Sequence, residues 1–211
     1  EEYDAATLYR DERINRIFEG TNEINRLIIG SYALKKAILE ELPIRDLIKQ
    51  REDNWIPNAD IYQDNTLKEE FYAVEFCRSL FAFVFNELIN DFGQDLKNKQ
   101  WFIEPLANII ISLCTLDTGC KRFKNIKDEE HRNNTMEVLR LSVANHYSGI
   151  IKNAQEIITY LDDLNNNSKL FDIFSKWRNK LDYHPNIIDY KKSIIKSLYK
   201  YEKYYLDKVE S

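Results

Sequence analysis

Apolar residues recur along most of this chain at steps of three and four. Leu67, Phe71, Val74, Phe81, Phe85, Leu88 and Phe92 form one series, broken only by Arg78, and Gly93 offers a helix stop after it. Phe102, Leu106, Ile109, Leu113, Leu116, Cys120 and Phe123 form a second series; Val143, Tyr147, Ile150, Ala154, Ile157, Leu161 and Leu164 form a third. The spacing predicts three long amphipathic helices that share a core. A shorter helix over residues 169–181 and a last one over 187–208 follow, separated at His184-Pro185, because proline restricts its neighbour and suits the first turn of a new helix. Nearer the start a helix is expected over 5–12, after which Ile14, Ile17 and Phe18 fall irregularly among charges as far as Gly20. Thr21 then supplies a cap oxygen, and Ile24, Leu27, Ile28, Ser31 and Leu34 mark a helix that buries one face and runs to about Glu41.

From Pro43 to Asn65 the periodicity is lost, and Pro57 with the Asn/Asp-rich stretch after Trp55 gives the composition of a linker. The expected organisation is therefore an N-terminal helical piece over 1–44, a linker over 45–65 and an antiparallel helical bundle over 66–211. The fold class is all-α. Composition agrees: 44% hydrophobic and 13% aromatic residues exclude a disordered chain, and five glycines and four prolines are too few for a turn-rich β protein.

A net charge of -5 and a pI near 5.4 repel a phosphate backbone, so nucleic acid is not an expected partner. There is no run of eighteen apolar residues and no signal peptide at the start, which predicts a soluble, intracellular protein. Cys77, Cys114 and Cys120 match neither a disulfide framework nor a zinc site, and each falls on an apolar face, so all three are expected to be buried thiols. His131, His146 and His184 are scattered, and no protein metal site is expected. The chain opens at Glu1 inside a charged segment without an initiator methionine, which predicts a fragment of something longer.

One segment carries chemistry. Leu8-Tyr-Arg-Asp-Glu-Arg-Ile-Asn-Arg-Ile-Phe-Glu-Gly-Thr-Asn-Glu-Ile-Asn-Arg-Leu27 closely resembles the signature of flavin-dependent acyl-CoA dehydrogenases, in which an Arg-Asp pair precedes an Ile-aromatic-Glu-Gly-Thr turn. The stretch from Phe92-Gly-Gln through Leu106-Ala-Asn to Arg122 more diffusely resembles the extra C-terminal domain of the very-long-chain branch. On this resemblance residues 1–44 are the end of the dehydrogenase catalytic C-terminal helical domain, and 66–211 are the extra bundle.

The resemblance implies α,β-dehydrogenation of a long-chain acyl-CoA thioester in fatty acid β-oxidation, with FAD as cofactor, electron-transfer flavoprotein as electron acceptor and a homodimer as the assembly. Glu19 matches the catalytic base. A glutamate just before a helix start is held rigidly, and closure around an acyl chain would desolvate it and raise its pKa. In the family the backbone N–H of this glutamate also points at the thioester carbonyl, where enolate charge develops. Gly20 matches the residue beside the substrate. Thr21, Asn22 and Glu23 match the turn that borders the flavin pyrophosphate, and they open a helix whose N–H groups and dipole suit an anion. Arg10 and Asp11 are expected to be an ion pair holding the turn. On residues alone, the same turn reads as a surface connection with a solvated Glu19 and an ordinary Thr21 cap.

The upstream helices, the middle β-domain and the Gly-Gly motif of the family are missing, so the chain alone is expected to be inactive. The alternative is a non-catalytic helical module for dimerisation or membrane docking. Lys192, Lys196, Lys200 and Lys203 beside Ile194, Ile195, Leu198, Tyr201, Tyr204 and Tyr205 suit a helix at a peripheral membrane contact, although Asp189, Glu202, Asp207 and Glu210 dilute the charge. The very-long-chain branch is associated with membranes. A bacterial protein of this kind is expected in the cytoplasm and a eukaryotic one in mitochondria.

Overall fold

The computed structural model describes residues 5–49 and 65–201. Trp55 and Pro57, and the end of the last helix with Lys203, Tyr204 and Tyr205, lie outside the described residues. The described chain is all-α: α1 (Ala5–Asn15), α2 (Asn22–Ile38), α3 (Ile44–Lys49), α4 (Lys68–Phe92), α5 (Gln100–Asn125), α6 (Glu129–Leu164), α7 (Lys169–Lys180) and α8 (Ile187–Tyr201). Short 3-10 turns at Asn65–Leu67 and Gly93–Asn98 precede and follow α4.

The core forms where the three apolar series meet. Arg78 of α4 pairs with Asp117 of α5, and the Phe92 and Phe102 rings lie 5.1 Å apart, so these helices run antiparallel. Phe102 of α5 meets Tyr160 of α6 at 5.2 Å and Arg132 of α6 lies over the Phe123 ring, which makes that pair antiparallel as well. Phe76, Phe85, Leu80, Leu88, Leu106, Ile109, Leu116 and Phe123 are fully buried between them. Each contributes about 1.5–3 kcal/mol by leaving water. α7 completes this core through Phe174 and through Trp177, whose ring is 5.2 Å from Phe83.

Several elements differ from expectation. α4 is not one-faced: Ala73, Val74, Phe76, Cys77, Leu80, Ala82, Phe83, Val84 and Phe85 are all buried, because α3, α5, α6 and α7 surround it. Arg78 tolerates this position by pairing with Glu75 and Asp117. α6 starts well before Val143, where Asp128 accepts the His131 N–H at 2.7 Å as an N-cap. α3 forms at Ile44–Lys49, inside the aperiodic stretch, because Ile44 is buried in the core and Leu47 packs against it. Cys77 and Cys120 are buried, but Cys114 is exposed, since α5 turns that side away from α4 and α6. α5 is the one described helix long and apolar enough to cross a membrane, and its Phe102, Ile103, Leu106, Ile109, Leu113 and Leu116 are committed to the core.

α2 has two apolar faces where one was expected. Gly30 and Leu34 are buried and Leu27 packs against the core, whereas Ile24 and Ile28 from the expected inner face are exposed. A 2.7 Å bond from Arg26 Nε to Asn108 Oδ1 ties α2 to α5.

Candidate active site

The chain leaves α1 through a last hydrogen-bonded turn, with Phe18 N–H donating to Ile14 C=O at 2.8 Å, and then reverses hand. Glu19 has φ 54° and Gly20 φ 101°. For a non-glycine residue this left-handed region costs about 1–3 kcal/mol, so Glu19 holds its shape against its own preference. Gly20 meets that requirement without cost.

Thr21 then starts α2 in extended conformation, with φ -60° and ψ 156°. Its hydroxyl oxygen accepts the Ile24 N–H at 3.3 Å, and the hydroxyl donates to the Glu23 carboxylate. Glu23's own backbone N–H and that hydroxyl hold the Glu23 carboxyl below its usual range, with Arg26 and Arg16 adding to the effect. The Asn22 N–H donates back to the Arg16 carbonyl at 3.1 Å. The five residues singled out in the sequence thus make one continuous turn. The first-turn N–H groups are not free, however: that of Asn22 bonds the Arg16 carbonyl, that of Glu23 its own carboxylate and that of Ile24 the Thr21 hydroxyl.

One residue of this site was not legible beforehand. Asn25 donates from Nδ2 to the Gly20 carbonyl at 3.0 Å, closing the turn from one helical turn further on. The signal available was its residue type, since asparagine side chains bond readily to nearby backbone.

The surroundings are open. Leu8, Tyr9, Ile14, Ile17 and Phe18 are all more than half exposed, as are Ile28 and Tyr32 of α2. So many exposed large apolar side chains on α1, the turn and α2 mark a surface built to be covered. As a flavin site the described residues fit an edge only: a glycine without a side chain, a helix N-terminus already holding a carboxylate, and no enclosing wall at the exposed Glu19.

The chain is similar to known proteins of one kind. Residues 1–34 match the model of the acyl-CoA dehydrogenase C-terminal domain. A protein described as a probable acyl-CoA dehydrogenase from Bacillus subtilis (strain 168) is 32% identical over 123 residues, which cover 58% of this chain and 21% of that protein. The crystal structure of an acyl-CoA dehydrogenase complexed with FAD from Bacillus anthracis superposes with a TM-score of 0.80 at 27% identity, covering 96% of this chain and 34% of that one. The chain therefore spans about a fifth of the one relative's length and a third of the other's. Residues 1–34 are thus similar to the C-terminal domain of acyl-CoA dehydrogenases, and the chain as a whole is similar to part of such a protein.

Proposed function

We propose that this chain supplies the general base and one wall of the active site of an FAD-dependent acyl-CoA dehydrogenase that oxidises long-chain acyl-CoA in fatty acid β-oxidation. The observation that carries the reading is the turn through Glu19 and Gly20, both in left-handed conformation, with exposed large apolar residues on either side of it in the chain. In this reading the Glu19 carboxylate takes the proton from the α-carbon of the thioester. Its backbone N–H faces the carbonyl oxygen that gains negative charge. The β-hydrogen departs with its electron pair as the Cα=Cβ double bond forms. FAD, held mainly by the rest of the protein, would supply the acceptor for that hydride, with electron-transfer flavoprotein as the proposed electron acceptor.

Gly20 leaves room for the thioester to approach. Thr21, Asn22 and Glu23 would line the edge of the site that holds the phosphates of FAD. Covering the exposed apolar residues near Glu19 in the chain would exclude water from the reacting atoms. The rest of the protein and a second copy in a homodimer are the proposed cover.

Glu19→Gln in the complete flavoprotein tests the reading, since glutamine keeps the volume and the backbone N–H but accepts no proton. Anaerobic flavin bleaching by a long-chain acyl-CoA is expected to slow by about a hundred- to ten-thousand-fold. Bleaching at the wild-type rate would sink it.

A second reading, a peripheral membrane contact, is favoured by α8. Ile194 is half-buried on the side where α8 packs against α6, whereas Ile188, Ile195 and Tyr199 lie exposed along one stripe near Lys191, Lys192 and Lys196. Apolar residues flanked by lysines suit an anionic bilayer surface. Co-sedimentation with vesicles containing phosphatidylglycerol, weakened by Ile195→Glu, is the expected result; equal recovery without vesicles removes the reading.

A further inference from the structure

The Glu19 turn has little support from its own side of the chain, because α1 and residues 16–19 are exposed throughout the described side chains. Beyond the Asn22 N–H bond to the Arg16 carbonyl, its support comes from α2. The Asn25 side chain reaches back to the Gly20 carbonyl at 3.0 Å, and its Oδ1 lies 3.0 Å from the point a Cβ on residue 20 would occupy. The same amide therefore clamps Gly20 and fills the space that a side chain there would need. Asn25 is itself held in place by its neighbour Arg26, bonded to Asn108, and by the close seat of Gly30 on Ile103. A continuous line of contacts runs from the core helix α5 through α2 and Asn25 to the Gly20 carbonyl, in the peptide that follows Gly20 and one residue beyond Glu19.

We propose that Asn25 is a positioning residue for the reaction, limiting where the Glu19 carboxylate and N–H can point by anchoring the Gly20–Thr21 peptide that ends the turn. The inference rests on Glu19 being the base. The Asn22 N–H bond to the Arg16 carbonyl closes the turn around Glu19 and Gly20, whose freedom at φ 101° leaves slack, and the tie from a rigid helix limits that slack. Misplacement by about 1 Å in such a site costs about a hundredfold in rate. Asn25 is exposed and lies in the fourth position of α2, where alanine is the better helix former. Asn25→Ala removes the tie without weakening the helix.

The test compares Asn25→Ala, Asn25→Gln and Glu19→Gln in the complete flavoprotein, by anaerobic bleaching across acyl-CoA concentration and pH. Asn25→Ala is expected to lower the limiting rate by about ten- to a hundredfold. Half-saturating acyl-CoA, flavin content and melting temperature stay unchanged, while the pH profile of the limiting rate shifts. Asn25→Gln, which keeps the donor, recovers most of the rate. A wild-type limiting rate for Asn25→Ala beside a slow Glu19→Gln overturns the positioning role and leaves the base reading standing. A wild-type rate for Glu19→Gln overturns both. A loss in Asn25→Ala that comes with lost flavin or a lower melting temperature, or that Asn25→Gln shares in full, also overturns the positioning role.

Discussion

Gly30 of α2 and Ile103 of α5 touch where no side chain fits between them: a Cβ on residue 30 would stand 2.6 Å from Ile103 Cγ2 and 2.8 Å from the Ile103 carbonyl oxygen. The backbone oxygen cannot move aside as a flexible side chain would. Gly30→Ala is expected to push α2 off α5 and to destabilise the protein by about 1–3 kcal/mol. Gly149 in α6 is the control, since nothing lies within 4 Å of its Cβ position. There alanine is expected to stabilise by about 0.5–1 kcal/mol, through helix propensity and a less flexible unfolded chain. Urea unfolding of both variants checks the pair, and a Gly30→Ala midpoint at or above wild type contradicts the close packing.

α7 takes its N-terminal cap from another helix. Ser168, the residue in the cap position, makes no side-chain bond to the helix, whereas Asp162 of α6 accepts the Leu170 N–H at 3.1 Å and the Phe171 N–H at 2.8 Å. Asp162 is only 5% exposed, so both donors lose a partner in a water-poor place if it is removed. Asp162→Ala is expected to cost about 1–3 kcal/mol. Asp162→Asn should recover part of that, because one oxygen still accepts. A midpoint unchanged in Asp162→Ala would show that α7 is held by Phe174 and Trp177 alone.

The long helices were legible because their apolar residues are dense and regular, and the turn at Glu19 because Gly20 and Thr21 punctuate it and the segment resembles a known signature. What escaped has physical reasons. Periodicity reports that a helix has an apolar stripe and not how many neighbours it has, so α4, with Phe83, Val84 and Phe85 in succession, read as one-faced although it is surrounded. In α2 two stripes overlap in sequence. The choice between Ile24/Ile28 and Leu27/Leu34 as the inner face is made by the close seat of Gly30 on α5, a tertiary contact. The first half of α6 carries few apolar residues and is set instead by the Asp128 cap. Asn25 looks the same in sequence whether its amide faces water or the Gly20 carbonyl.

The three thiols should separate by accessibility. Burial pushes the Cys77 thiol far up and the Cys120 thiol up to about 11, while Cys114 is exposed. At pH 8 a thiol-reactive disulfide reagent is expected to label Cys114 rapidly in the folded protein and the other two only on unfolding, because the thiolate is the reacting species. Cys114→Ser should abolish the fast phase. A fast phase that survives this substitution assigns it elsewhere.

Glu70 makes stability depend on pH in an unusual direction for a carboxylate that has a cationic neighbour. It is 5% exposed on α4, and burial raises its carboxyl above the ordinary value of 4.5, an effect that Glu69 and Glu137 reinforce. Its own backbone N–H and Arg140 oppose the rise. Arg140 is a divided partner: its Nε is 3.5 Å from Glu70, while Nη1 bonds Glu137 at 2.7 Å and Nη2 bonds the Thr66 carbonyl at 2.9 Å. From the other side come the buried Tyr183 hydroxyl, which has no hydrogen-bond partner, and Tyr190 of α8; Cys77 of α4 and Tyr147 of α6 lie near Tyr183. A group whose folded pKa is raised binds its proton more tightly in the folded state. Its contribution is fully present below the unfolded value and is lost as pH rises through the folded value. Glu70→Gln removes that loss, so the variant should gain stability relative to wild type as pH rises above about 4.5, levelling once Glu70 is ionised in both states. Urea midpoints of the two proteins from pH 4 to 8 give the difference directly. A difference that is flat, or that falls with pH, would mean that Arg140 outweighs burial and keeps the carboxylate charged in the folded chain.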